Sequence, residues 1–238
     1  DRALKTENQF TGVVTVNDEP CEVSGSTIIN VSLANQLTVS NNDYIEVVSN
    51  NCIDYDGLNV SGAMRLTFSD VGNFNFINDV FNVTIDVSIT DFVTVVDGVS
   101  VALDGSYMMD IDSTYDGYTT IITSDNMETS LLNYRQVVSN LNITEQYDNS
   151  SSSYTISASS TVFDSDLNGT VTVSTVTPFE FFYSLDNSPL EGVLKVSGSG
   201  TSKVLIEVQN STLVDVSVDA DGDNVYESTT SHSWNDLI

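Results

Sequence analysis

Near the C-terminus, the run Asp219-Ala-Asp221-Gly222-Asp223-Asn-Val-Tyr-Glu227 places carboxylates at alternate positions, with one more four residues further on. A hard cation that takes about six to eight oxygens at roughly 2.3 to 2.6 Å suits such a set, and calcium is the natural candidate. The run departs from an EF-hand loop in two places. Glycine falls at the fourth position instead of the sixth, and Thr230 stands at the twelfth, where a bidentate glutamate belongs. The competing reading is an acidic hairpin turn after the strand pattern of Val214 to Val218. Asp164-Ser-Asp166-Leu-Asn168-Gly169 repeats the opening of such a loop but has Thr175 at the twelfth position, and an Asn-Gly hairpin accounts for it without a metal. Asp110, Asp112 and Asp116 form a third acidic set.

Catalytic chemistry has little to draw on. His232 is the only histidine, so no paired-histidine metal motif exists, and there is no Gly-x-Ser-x-Gly elbow or glycine-lysine phosphate loop. Ser199 lies in a Ser-Gly-Ser-Gly turn, and no residue stands out as a nucleophile. No catalytic residue and no organic cofactor site are expected. Cys21 and Cys52 are the only cysteines, each in a polar, turn-rich stretch. A disulfide between them fits an oxidising compartment and would stabilise the fold by about 3 to 4 kcal/mol on the chain-entropy treatment. Two unpaired buried thiols are the alternative.

The charge balance narrows the partners. Net charge is -28, yet charged residues are only 17% of the chain, below the roughly 25% of ordinary soluble domains. Base is missing more than acid is in surplus. Lys5, Lys195, Lys203, Arg2, Arg65 and Arg135 are the only cations among 238 residues. Such a surface repels nucleic acid and anionic headgroups and attracts divalent cations. No run approaches the 18 or so apolar residues of a membrane helix. A start at Asp1 fits a trimmed form from which a leader has been removed. Asn-x-Ser/Thr triplets at Asn30, Asn59, Asn82, Asn142, Asn149, Asn168 and Asn210 are compatible with an outer-surface location.

The elements that would position these residues are strands. Apolar residues alternate with Ser, Thr, Asn or Asp from Phe10 to the C-terminus, as half-buried antiparallel strands require. Asp97-Gly98 separates two alternating runs and predicts a type I′ hairpin. Glycine opens an alternating run at Gly62, Gly105, Gly169 and Gly192, at intervals too irregular for a solenoid or propeller. An all-β fold follows, either an antiparallel β-sandwich or a long curled meander sheet. One short helix is expected near 125 to 138, where Asp125 and Glu128 make a capping box and Met127, Leu131, Tyr134 and Val138 follow helical spacing. Residues 1 to 238 read as a single β-rich domain. Pro178 and Pro189 bracket the aromatic stretch from Phe179 to Tyr183, so a crossover between sheets and a split near 176 to 192 is the alternative.

The C-terminal run from Ser217 to Glu227, with Cys21, Cys52 and the segment Ser160-Thr-Val-Phe-Asp-Ser-Asp-Leu-Asn-Gly169, resembles uncharacterised secreted or lipoprotein-like β proteins of marine proteobacteria. The resemblance implies export to the envelope and calcium binding, and brings no activity with it.

Together these features lead to an exported protein of the extracellular space, cell surface or periplasm, non-enzymatic and structural. Its partners are expected to be further copies of itself or envelope proteins. Phe10, Val14 and Val16 follow a polar arm, as in a strand donated to a neighbour's open sheet to build a filament. Two rivals keep the same fold. One is a carrier of an apolar ligand, with Phe163, Phe179, Phe181, Phe182 and Tyr183 lining a cavity under a helical lid. The other is a calcium-dependent adhesin.

Overall fold

A computed structural model describes residues 12 to 34, 38 to 75, 80 to 96, 98 to 182 and 188 to 234. They form fourteen strands in one antiparallel sheet, and their order across the sheet is their order in the chain. The strands are β1 (Gly12–Pro20), β2 (Ser24–Leu33), β3 (Tyr44–Ile53), β4 (Asn59–Asn75), β5 (Val80–Val96), β6 (Val99–Thr114), β7 (Gly117–Leu131), β8 (Tyr134–Asp148), β9 (Ser153–Asp164), β10 (Gly169–Phe182), β11 (Glu191–Ser197), β12 (Lys203–Val208), β13 (Leu213–Asp219) and β14 (Ser228–Ser233). A single 3-10 turn, Ser199–Thr201, joins β11 to β12. The sheet is open, because β1 and β14 do not pair. Of the two expected architectures, the chain adopts the meander.

The predicted helix near 125 to 138 is not formed. Those residues are the end of β7, a two-residue turn at Leu132 and Asn133, and the start of β8. Met127 pairs with Val138 and Leu131 with Tyr134. The spacing that looked helical is mirror-symmetric about the turn, so the same four residues satisfy a helix stripe and one face of a hairpin. Leu132 takes the positive φ, 54°, that the turn needs, and Val137 and Val138 favour the strand. Glu128, the expected capping residue, instead holds Arg135 diagonally across the strands. The Asp97-Gly98 hairpin forms, with Val96 opposite Val99 and Gly98 at φ 79°; Asp97 lies outside the described residues. No crossover separates two sheets near the prolines, since β10 and β11 are antiparallel neighbours.

Register sorts the side chains by chemistry. Partners opposite one another share a face, and successive residues alternate. Val83, Ile85, Val87 and Ile89 of β5 therefore share a face with Leu66 and Met64 of β4 and with Tyr107, Met109 and Ile111 of β6. The same face continues through Ile29 and Val31, Ile45 and Val47, Ile122, Ile143, Ile156, Val171 and Val173, Leu194 and Val196, Val204 and Ile206, and Val214 and Val216. On the opposite face stand Glu46, Asp86, Asp110, Asp112, Glu128, Glu180, Glu207 and Asp215, with Arg65, Arg135, Lys195 and Lys203. One face is apolar and nearly uncharged; the other carries the acid and every cation among the described residues.

Bulges divide the long strands. At Gly62, φ 107°, two residues of β5, Asp91 and Phe92, lie opposite one of β4, and a Cβ there would sit 2.3 Å from the Asp91 carbonyl oxygen. Gly105 and Gly192 also take positive φ beside bulges, which bend and twist the sheet. The curl is tightest over β10 to β14, where Phe179 and Trp234 meet edge to face at 6.4 Å across the strands between them. Val208 and Val214 are buried there, and Val83, Val87 and Ile89 under the centre of β5. These five are the whole buried apolar core among the described residues.

Candidate functional site

The acidic loop between β13 and β14 is built around Asp219, which ends β13 and is fully buried. Its Oδ1 accepts the Gly222 amide at 2.6 Å and its Oδ2 the Asn224 amide at 3.0 Å. Gly222 and Asn224 both have positive φ, which lets the chain wrap around the carboxylate. Asp221 accepts from the Asp223 amide, Asp223 from the Val225 amide, and Glu227 reaches back to the Ala220 amide. The four predicted ligands Asp219, Asp221, Asp223 and Glu227 are thereby brought together, each with a carboxylate oxygen within 4.8 Å of the others. This group could hold a metal ion.

A cation of the chain itself lies beside it. Lys203, at the start of β12 and paired in register with Asp219, brings its ammonium to 3.6 Å from Asp219 Oδ2 and 2.5 Å from Asn224 Oδ1. Sequence spacing gave no sign of this lysine, because it arrives from the neighbouring strand. Each carboxylate keeps one oxygen not occupied by the amides described above, apart from Asp219, whose second oxygen is shared with Lys203. An incoming divalent ion would find three exposed carboxylates and one buried, lysine-neutralised one.

The other two acidic sets do not gather in this way among the described residues. Asp164 Oδ1 accepts the amides of Asp166 and Leu167, and Oδ2 accepts the Tyr134 hydroxyl at 2.9 Å. That hydroxyl above all, and then the two amides, holds the Asp164 carboxyl below the usual carboxylate range. Asn168, φ 47°, completes the hairpin between β9 and β10, so this segment is a turn. Asp110 accepts the Thr84 hydroxyl on the polar face, and Asp116 lies in the turn between β6 and β7.

Cys21 and Cys52 form the expected disulfide, with Cα atoms 5.3 Å apart and 31 residues between them in sequence. It ties the turn after β1 to the end of β3. Val14 and Val16 lie in β1 opposite Val31 and Ile29 of β2, and Phe10 lies outside the described residues. β1 is therefore paired along one edge by its own chain. The five aromatic residues expected to line one cavity do not share a face. Phe179 and Phe181 stand on the apolar face, and Phe181 stacks on Tyr154 at 4.8 Å. Phe163 and Phe182 stand on the polar face, with the Arg135 guanidinium 5.9 Å over Phe163, and Tyr183 is outside the described residues. The largest cavity, about 480 Å³, is an open depression on the polar face floored by Asp86, Ser88, Ser106, Thr123 and Ser124. No described helix is long and apolar enough to cross a membrane.

What the sequence reading missed is the continuity of the apolar face. Each strand's alternation is visible in sequence, but only register shows that the apolar sets of β2 to β13 fall on one side. Ile45 and Val101, on this side, each expose 36% of their surface. Most of their neighbours are half-exposed, as side chains are when flanked on both sides with no layer above.

Fold and site together define an open antiparallel meander with one apolar face, one acidic face and a carboxylate loop near its last edge. Compared with protein-family models, curated proteins and solved structures, the chain matches none.

Proposed function

We propose that the protein is a non-catalytic structural protein, exported to the cell surface or extracellular space, whose copies join edge to edge into a filament. The observation that carries this reading is an open sheet whose end strands, β1 and β14, each pair along one side only among the described residues. A sheet of fourteen alternating strands has end strands of opposite direction. The β1 of a second copy, set beside β14 by a simple translation or screw, therefore continues the antiparallel ladder, a head-to-tail contact that generates filaments. β14, with sequence Ser-Thr-Thr-Ser-His-Ser, has none of the lysine or proline that blunts edge strands. The disulfide supports an oxidising location.

In this role, the loop beside β14 takes a divalent cation, calcium by its all-oxygen donor set, and stiffens the joining edge. Placing a charge on the apolar side of the exposed edge with Thr230→Lys is expected to shorten assemblies seen by light scattering and electron microscopy. Assemblies of unchanged length would overturn the edge contact.

A further inference from the structure

The apolar face poses a question that the edges do not answer. A compact protein of 25.8 kDa exposes about 10,500 Å². The whole chain, undescribed residues included, exposes 14497 Å², about 4,000 Å² above that expectation, whereas a standard interface removes only about 800 Å² per partner. The apolar side of the sheet accounts for the character of this excess, since its isoleucines and valines remain half-exposed.

We propose that this face is covered by the same face of a second copy, the two sheets packing about 10 Å apart as a sandwich made between chains. The inference deepens the assembly reading and rests on it for the role, though not for the contact itself. Dimensions favour a second sheet. Strands of up to 17 residues and a run of about ten neighbours at roughly 4.8 Å spacing give a surface on the order of 50 Å on each side. A small apolar ligand occupies a cavity of about 300 to 1,000 Å³ and would leave most of that surface wet.

Charge favours it too. The carboxylates lie on the other face, so two apolar faces can meet while the acid points outward on both sides; an anionic bilayer would be repelled. Glu145 is the exception on the buried side, and Tyr118 donates a hydrogen bond to it at 2.5 Å within the same chain. At the β10 to β14 end, Phe179 and Trp234 already close over the face. The contact therefore centres on β3 to β8, with Ile45, Val101, Ile122 and Ile143 at its heart, and is twofold, each patch meeting its own copy.

The test uses the full chain at tens of micromolar. In the Thr230→Lys background, light scattering is expected to give twice the chain mass, and adding Ile45→Glu with Val101→Glu is expected to halve it, with the far-ultraviolet β signal retained. Neutral Nile red should light up only when the mass halves. If Thr230→Lys leaves long assemblies, the edge reading fails while the face contact is still read. The double substitution should then halve the mass per unit length, and an unchanged value would overturn the sandwich. Because the double variant could misfold, the parent is also diluted: dimer dissociation accompanied by rising Nile red emission supports the proposal. A monomer at every concentration, or a monomer carrying an apolar small molecule in native mass spectra, overturns it.

Discussion

Gly62 shows how a single residue shapes this sheet. Its φ of 107° and the Asp91 carbonyl, 2.3 Å from where a Cβ would lie, leave no room for alanine. Gly62→Ala is expected to cost at least about 2 kcal/mol, combining backbone strain with displacement of the bulge; thermal unfolding of the disulfide-intact protein measures it. Tyr118 offers a titration. Its hydrogen bond to Glu145, then burial, then the carboxylate's charge push its pKa from 10.0 to about 12. The folded state thus holds this proton more tightly than the unfolded chain. Its contribution to stability is complete below pH 10, declines as pH rises toward 12 and is lost above that. Absorbance near 295 nm should show one tyrosine ionising after the rest, and Tyr118→Phe should abolish that late step. A late step unchanged in the variant would assign it elsewhere. Arg135 holds Glu128 below the usual carboxylate range, but both are exposed and add little to stability.

At the scale of elements, most of the fold was legible before any coordinates. Period-two alternation located the strands, and Asp97-Gly98 located a hairpin, because both are local properties of the chain. The error at 125 to 138 was local too. Met127, Leu131, Tyr134 and Val138 are equally spaced about a turn that contains neither glycine nor proline, so periodicity alone could not separate a hairpin from a helix. Asp219, Asp221, Asp223 and Glu227 were legible as a group because one loop carries them all. Lys203 was not, since its approach depends on how β12 pairs with β13.

The loop and the disulfide give two tests at this scale. Saturating calcium should raise the melting temperature and a chelator lower it, with Asp221→Asn and Asp223→Asn removing most of the difference. No shift in the parent would leave the loop as an acidic turn neutralised by Lys203. Replacing Cys21 and Cys52 together with alanine should cost about 3 to 4 kcal/mol in denaturant unfolding, for the 31-residue separation. A loss below about 1 kcal/mol would mean that the unfolded chain is already restrained there.

At the scale of the molecule, the two faces set solution behaviour. A net charge of -28 confined largely to one side makes copies repel through that side, and salt relieves the repulsion over about 10 Å at 0.1 M. Assembly through the other side and the edges is therefore expected to strengthen from about 10 mM to 0.2 M salt, the reverse of an association held by ion pairs. Light scattering across that range decides it. The size of the apolar face could not be read from the sequence, because it is a sum over registers, and every bulge shifts the register by one residue.

The order of the strands has a consequence for how the chain reaches this state. Since each strand lies beside its predecessor, no segment has to wait for a distant one. A polypeptide emerging amino end first can zip each new hairpin onto the last, and the Cys21–Cys52 clasp can close as soon as the third strand is out. A row of nested hairpins suits delivery through a narrow exit, where a sandwich with long crossovers would have to hold its early strands unpaired.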